Sequence, residues 1–153
     1  DHAPRMSALD FLHGAWRGEG WMVLGPDRRE TFAQTERIGP FLDGDILLIE
    51  GTGRARDAGD RVVHHAFAVI SPAEGGGYEF RSYANQRAGL FPARLTGPRA
   101  LEWTIATPGG EIRYLIEVDG DVWRETGERS ADGGKTWTRF FQMDLKRTGP
   151  ATW

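Results

Sequence analysis

Turn signals recur at short intervals along this chain, and no segment of helical length lies between any two of them. They are Gly25-Pro26-Asp27, Gly39-Pro40, Asp43-Gly44, Ala58-Gly59-Asp60, Gly75-Gly76-Gly77, Gly97-Pro98, Pro108-Gly109-Gly110, Asp119-Gly120 and Asp132-Gly133-Gly134. Each joins residues that tolerate positive φ or tie their own backbone, which is what a tight turn needs. Glycine supplies 21 of the 153 residues, about twice the usual ~7%, with no collagen-like or low-complexity pattern. The runs between the turns read as strands over 15–23, 30–38, 45–53, 61–70, 78–85, 90–95, 101–107, 111–118, 121–129 and 136–146. Parallel neighbours require long crossovers, so these runs pair as an antiparallel meander. An open meander leaves two exposed edges. Closure into an up-and-down barrel of about ten strands removes them; a two-sheet sandwich is the alternative.

A short helix precedes the strands. Ser7 is placed to cap a turn or two through Ala8, Leu9, Phe11 and Leu12, ended by Gly14. Alternation assigns inner faces on several strands. Leu101, Trp103 and Ile105 share one face, and Ile112, Tyr114, Ile116 and Val118 another. On the last strand Trp137, Arg139, Phe141, Met143 and Leu145 fall together. The run 61–70 is apolar on both faces, so its register stays open, and Pro92 marks an edge or a bulge.

Composition excludes several classes of function. The chain has no cysteine, hence no disulfide, thiolate nucleophile or cysteine zinc site. Its net charge is −3 with both signs interleaved and no polybasic run, so nothing advertises nucleic acid. Apolar stretches such as 46–49 are far too short to span a membrane. H-E-x-x-H, G-x-S-x-G and a glycine-rich loop before a helix are all missing. Asp43-x-Asp45 and Asp119-x-Asp121 lack the acid that would complete a calcium loop and read as hairpin turns. The length suits one domain, 1–153. The start at Asp1 favours an exported or periplasmic bacterial protein with its leader removed over a trimmed cytoplasmic chain. Trp153 near the tail is compatible with a monomer or a homodimer.

With no catalytic motif in view, the barrel interior is the expected site, since a few polar groups inside an apolar cup orient a ligand. The expected ligand-binding residues are Trp21, His65, Arg81, Tyr83, Trp103, Tyr114, Arg124, Arg139 and Phe141. Arg139, on an apolar face, would need an anion. That anion is either a ligand carboxylate or an internal acid such as Glu19 or Glu125. The plainer reading of His64-His65 is one wet and one buried strand residue.

Two segments carry a family resemblance. Leu9-Asp10-Phe11-Leu12-His13-Gly14-Ala15-Trp16-Arg17-Gly18-Glu19-Gly20 resembles the opening of the lipocalin-like (calycin) superfamily, which includes the nitrobindin-like haem proteins. Ser130-Ala131-Asp132-Gly133-Gly134-Lys135-Thr136-Trp137 is similar to a late motif of bacterial lipocalin-like proteins of unknown function. It also has the form of an Asp-box, in which Asp132 ties a hairpin turn and Trp137 folds back on it. A single copy in a chain of this length argues against a propeller glycosidase. The resemblance implies a ten-stranded barrel with an internal cavity. Independently of it, a closed meander makes the first and last strands neighbours, which allows Arg147 to lie over the Trp16 ring. The nitrobindin-like haem ligand is a histidine near the C-terminus. Here histidines stand only at 2, 13, 64 and 65, so haem is not expected and would need another ligand such as His65.

The leading expectation is a binding barrel for a small hydrophobic or amphipathic molecule, with an anionic head if Arg139 faces inward. The rivals are an isomerase or hydrolase in the same cavity using Glu125, His65 or Tyr83, and a solid-cored interaction domain. A filled interior would exclude a carrier. A carboxyl or histidine with displaced titration lining the cavity would favour an enzyme.

Overall fold

The computed structural model describes residues 2–56 and 59–153. Ala58, expected in a turn, lies outside the described residues. The chain begins with α1 (His2–Ser7) and a 3-10 turn (Asp10–Leu12). Ten strands follow: β1 (Gly14–Gly25), β2 (Arg28–Phe41), β3 (Ile46–Ala55), β4 (Val62–Pro72), β5 (Tyr78–Ala84), β6 (Arg87–Gly97), β7 (Ala100–Thr107), β8 (Gly110–Asp119), β9 (Val122–Ser130) and β10 (Thr138–Gly149). Every neighbouring pair is antiparallel, and β1 also pairs with β10, which closes the barrel. The sandwich alternative is thereby excluded.

The helix lies earlier than the capping pattern predicts. Ser7 ends it and donates its hydroxyl to Pro4 O at 3.1 Å, so it does not cap a following turn. Its place is fixed by tertiary contacts: Arg5 donates to Ala73 O at 2.9 Å, and Tyr78 donates to Arg5 O at 2.7 Å. β6 is also longer than the expected 90–95, because Asn85 and Gln86 make a turn at positive φ without any glycine. Pro92 sits where the β6–β7 ladder starts. That ladder runs from Ala93↔Trp103 to Gly97↔Ala100, so 87–92 of β6 pair with β5 alone. The proline therefore stands on a local edge inside a closed barrel, where its missing N–H leaves no gap in a ladder.

The barrel has a packed end and an open end. Leu9, Leu12, Trp16, Ile38, Leu47, Ile70, Leu101, Trp123 and Leu145 are essentially fully buried beneath the N-terminal segment. Trp16 meets Trp123 edge-on with ring centres 5.2 Å apart and donates its indole N–H to Leu12 O at 3.0 Å. Truncating such a plug would cost roughly 3–5 kcal/mol. The turns joining β1–β2, β5–β6, β7–β8 and β9–β10 lie at the other end. The 130–137 turn there is stapled by its own side chains. Asp132 accepts from the backbone N–H of Lys135 and Thr136 at 3.0 and 2.9 Å, while Trp137 donates to Gly134 O at 3.1 Å. The Thr136 hydroxyl first, then the Thr136 backbone N–H and the Ser130 hydroxyl, hold the exposed Asp132 carboxyl down at about 2.

Candidate functional site

The inner faces of the upper barrel enclose a cavity of about 610 Å³. Its wall is a run of aromatic rings contributed by successive alternating strands. Phe80 stacks on Trp103 at 4.3 Å, Trp103 on Tyr114 at 5.1 Å, and Tyr114 meets Phe141 edge-on at 5.9 Å. Phe141 in turn lies 6.0 Å from Phe32. Gly127 on β9 makes this possible, because a Cβ there would come within 2.8 Å of the Tyr114 ring. Glycine thus serves inside the strands as well as at the turns.

Polar groups gather on the inward side of β2, β4 and β9. Gln34, Glu36 and Glu125 are buried, and Glu36, Glu125 and His64 line the cavity. Gln34 Nε2 donates to Glu36 Oε2 at 2.5 Å. Their side chains lie over Gly51 and Gly53 of β3, where a Cβ would sit 2.1 Å from Glu36 Oε2 and 2.7 Å from Gln34 Oε1. Burial pushes the Glu36 carboxyl well up, and the neighbouring Glu125 pushes it further. Burial raises Glu125 to about 8. The Trp123 indole favours its charged form without meeting hydrogen-bond geometry. Tyr114 is pushed up to about 12 by burial and by Glu125. His64 is lowered by burial and by His65, which keeps it neutral. Gln34 Oε1 and Trp123 Nε1 are buried without hydrogen-bond partners.

Of the residues expected to bind a ligand, Trp103, Tyr114 and Phe141 line this cavity. The others stand on the outer face. Trp21 alternates outward on β1 and carries Arg29 at 4.0 Å over its ring. His65 is exposed and bonded to Glu50 at 2.9 Å, so the histidine facing the cavity is His64. Arg81 and Tyr83 share the exposed face of β5, with Tyr83 6.5 Å from Phe67. Arg124 pairs with Asp144 at 2.8 Å.

Arg139 fails for a specific reason. A bulge between Arg139 and Phe141 sets two steps of β10 against one of β9, so the alternation counted back from Phe141 breaks there. Arg139 points outward to Gln142 and Glu128. Trp137, beyond the same bulge, lies outside under Arg113 at 3.8 Å. Glu19 is likewise outside, paired with Arg56 at 3.1 Å. Neither an inward Arg139 nor an internal Arg139–Glu19 or Arg139–Glu125 pair exists. Gln34 and Glu36 were legible only as alternate residues of one strand; the polar G-x-G face opposite them, Gly51 and Gly53, was the available signal.

The strand order defines a closed ten-stranded antiparallel up-and-down β-barrel. Among solved structures the chain is similar to Rv2717c from M. tuberculosis, with a TM-score of 0.71 and 18% identity, over 97% of this chain and 99% of that one. No protein-family model matches the chain, and no curated protein does. Among the described residues no helix is long and apolar enough to cross a membrane.

Proposed function

We propose that the chain is a lipocalin-like binding barrel, one unit over 1–153, that holds a small apolar or amphipathic molecule. The observation that carries this reading is the aromatic-walled cavity of about 610 Å³. Ligand sites are commonly clefts of ~300–1,000 Å³ with an apolar lining and a few convergent polar groups. A solid core of tightly packed tryptophans would have filled that space. Access is offered at the open end, and at the side where 87–92 of β6 lack ladder bonds to β7. Ala88, Gly89 and Phe91 of β6 and Ile105 of β7 line the cavity beside that gap. An anionic head is not part of the proposal, because Arg81, Arg124 and Arg139 face away from the interior.

The test is titration with N-phenyl-1-naphthylamine, an apolar fluorescent probe, read by energy transfer from the buried tryptophans. Saturable one-to-one binding is expected, with loss in Ala66→Phe, which fills the cavity from β4. Absence of saturable binding to the wild-type chain would overturn the reading.

A catalytic use of the same cavity has the displaced titrations of its lining in its favour: Glu125, raised to about 8, and Glu36, also raised, are protonated acids at neutral pH, and His64 is held neutral. The other groups an enzyme would draw on, His65 and Tyr83, stand outside the barrel. A catalyst here would have to work with Glu125, Glu36, His64 and Tyr114. Native mass spectrometry of protein from its natural host separates the readings: an unmodified co-purifying molecule supports the carrier.

A further inference from the structure

The polar end of the cavity holds two acids and, among the described residues, no cation to pair with them. Glu36 comes from β2 and Glu125 from β9, both buried, and each raises the cost of charging the pair. Gln34, with no exposed surface, spends its amide N–H on Glu36 and leaves Oε1 without a partner. Trp123, 1% exposed, lines the cavity with its N–H also unpartnered. The charged and titratable groups around the pair do not supply a cation. His64 on β4 is held neutral, and Tyr114 on β8 stays protonated. Glu50, on the outer side of β3, adds negative charge. Arg87 lines the cavity at its mouth, at the far end of β6, and Arg129 is stacked on Phe140 at 4.5 Å. Two buried carboxyls without a counter-ion stay protonated, and a ligand cation is what would let one of them ionise.

We propose that the cavity takes an amine: an aromatic or other apolar body against Trp103 and Tyr114, with its ammonium group set between Glu36 and Glu125. This rests on the cavity being a ligand site. A primary ammonium brings three donors and no acceptor, which suits an ionised Glu125 and the carbonyl oxygen of the Glu36 acid, both of which line the cavity. An ionised Glu125 then gives the Trp123 N–H its acceptor. The stacked rings beside the site add cation–π attraction. The proton balance follows. Glu36 and Glu125 both enter as carboxylic acids at pH 7 and the amine enters as an ammonium ion; Glu36 keeps its proton, and one proton leaves to solvent as Glu125 ionises.

The experiment uses three probes sharing one ring system: 2-(2-naphthyl)ethylamine, 2-(2-naphthyl)ethanol and 3-(2-naphthyl)propionate. Each is titrated calorimetrically into the full chain in buffers of different ionisation enthalpy. The amine is expected to bind at least tenfold more tightly than the alcohol, with about one proton released per amine at pH 7. Glu125→Gln should abolish the preference and the proton release while keeping affinity for the alcohol. An amine that binds no better than the alcohol, or a preference for the propionate, overturns the inference and leaves the apolar cavity standing. If neither the amine nor the alcohol binds, the amine inference falls; the naphthylamine fluorescence titration then decides the cavity reading separately.

Discussion

The guanidinium of Arg147 lies 4.2 Å from the centre of the Trp16 ring. The same group donates to His13 O, to Phe11 O at 3.3 Å and to Gly120 O at 3.3 Å, and pairs with Asp121 at 2.8 Å. One side chain thus ties the last strand to the first, to the 3-10 turn and to the β8–β9 turn. Arg147→Ala is expected to cost about 2 kcal/mol in urea unfolding. Arg147→Lys should recover only part of it, because an ammonium lacks the planar fork that reaches several carbonyls. A lysine variant as stable as the wild type would count against this role.

Gly18 lies where β1 and β10 come closest. A Cβ there would sit 2.0 Å from Asp144 O and 2.8 Å from Leu145 Cα, both backbone atoms. Gly18→Ala must therefore pry the closing ladder apart, with an expected loss of about 1–3 kcal/mol. Gly25→Ala, with nothing within 4 Å, is the control and should change stability by less than roughly 0.5 kcal/mol. Equal melting shifts for the two variants would refute the close approach.

The interior acids make stability depend on pH with a definite sign. The unfolded chain releases the Glu125 proton near the ordinary ~4.3, whereas the folded barrel keeps it to about 8. The folded state binds more protons between those values, so stability is greatest below that window and falls as pH rises through it. For one proton the slope approaches ~1.4 kcal/mol per pH unit. Glu36, raised by burial and by Glu125, acts in the same direction. Urea midpoints at pH 5, 7 and 9 should fall for the wild type and flatten for Glu125→Gln.

The side gap has its own signature. Residues 88–92 of β6 and 104–107 of β7 have no ladder bonds to each other. Their amides should include positions exchanging with solvent roughly tenfold faster or more than those of β8, which is paired on both sides. Hydrogen exchange read by NMR checks this, and binding of an apolar probe should slow those positions selectively. Uniform protection around the barrel would remove the gap as an entry path.

Much of this architecture was legible in the chain itself. Turn residues at short intervals with no helix between them leave a meander, and a meander of ten strands is stable when closed. Alternation put Trp103, Tyr114 and Phe141 on the inner wall because β7, β8 and the central part of β10 run without interruption. The same rule misplaced Arg139, since a bulge shifts the phase by one residue and leaves no glycine or proline to announce it. It gave no face at all for 61–70, where both sides are apolar; pairing with β3 turned His64 inward and His65 out to Glu50.

The sequence alone determined the strand count, the antiparallel order and the absence of cysteine chemistry, because these depend on local backbone preference and on residue type. Only the tertiary structure decided what the interior holds. Whether a side chain on an alternating strand meets solvent or a carboxyl across the barrel depends on bulges, register and closure, which join residues far apart in the chain. Glu36 and Glu125 lie on β2 and β9 and act on each other only because the sheet curls until its first and last strands meet.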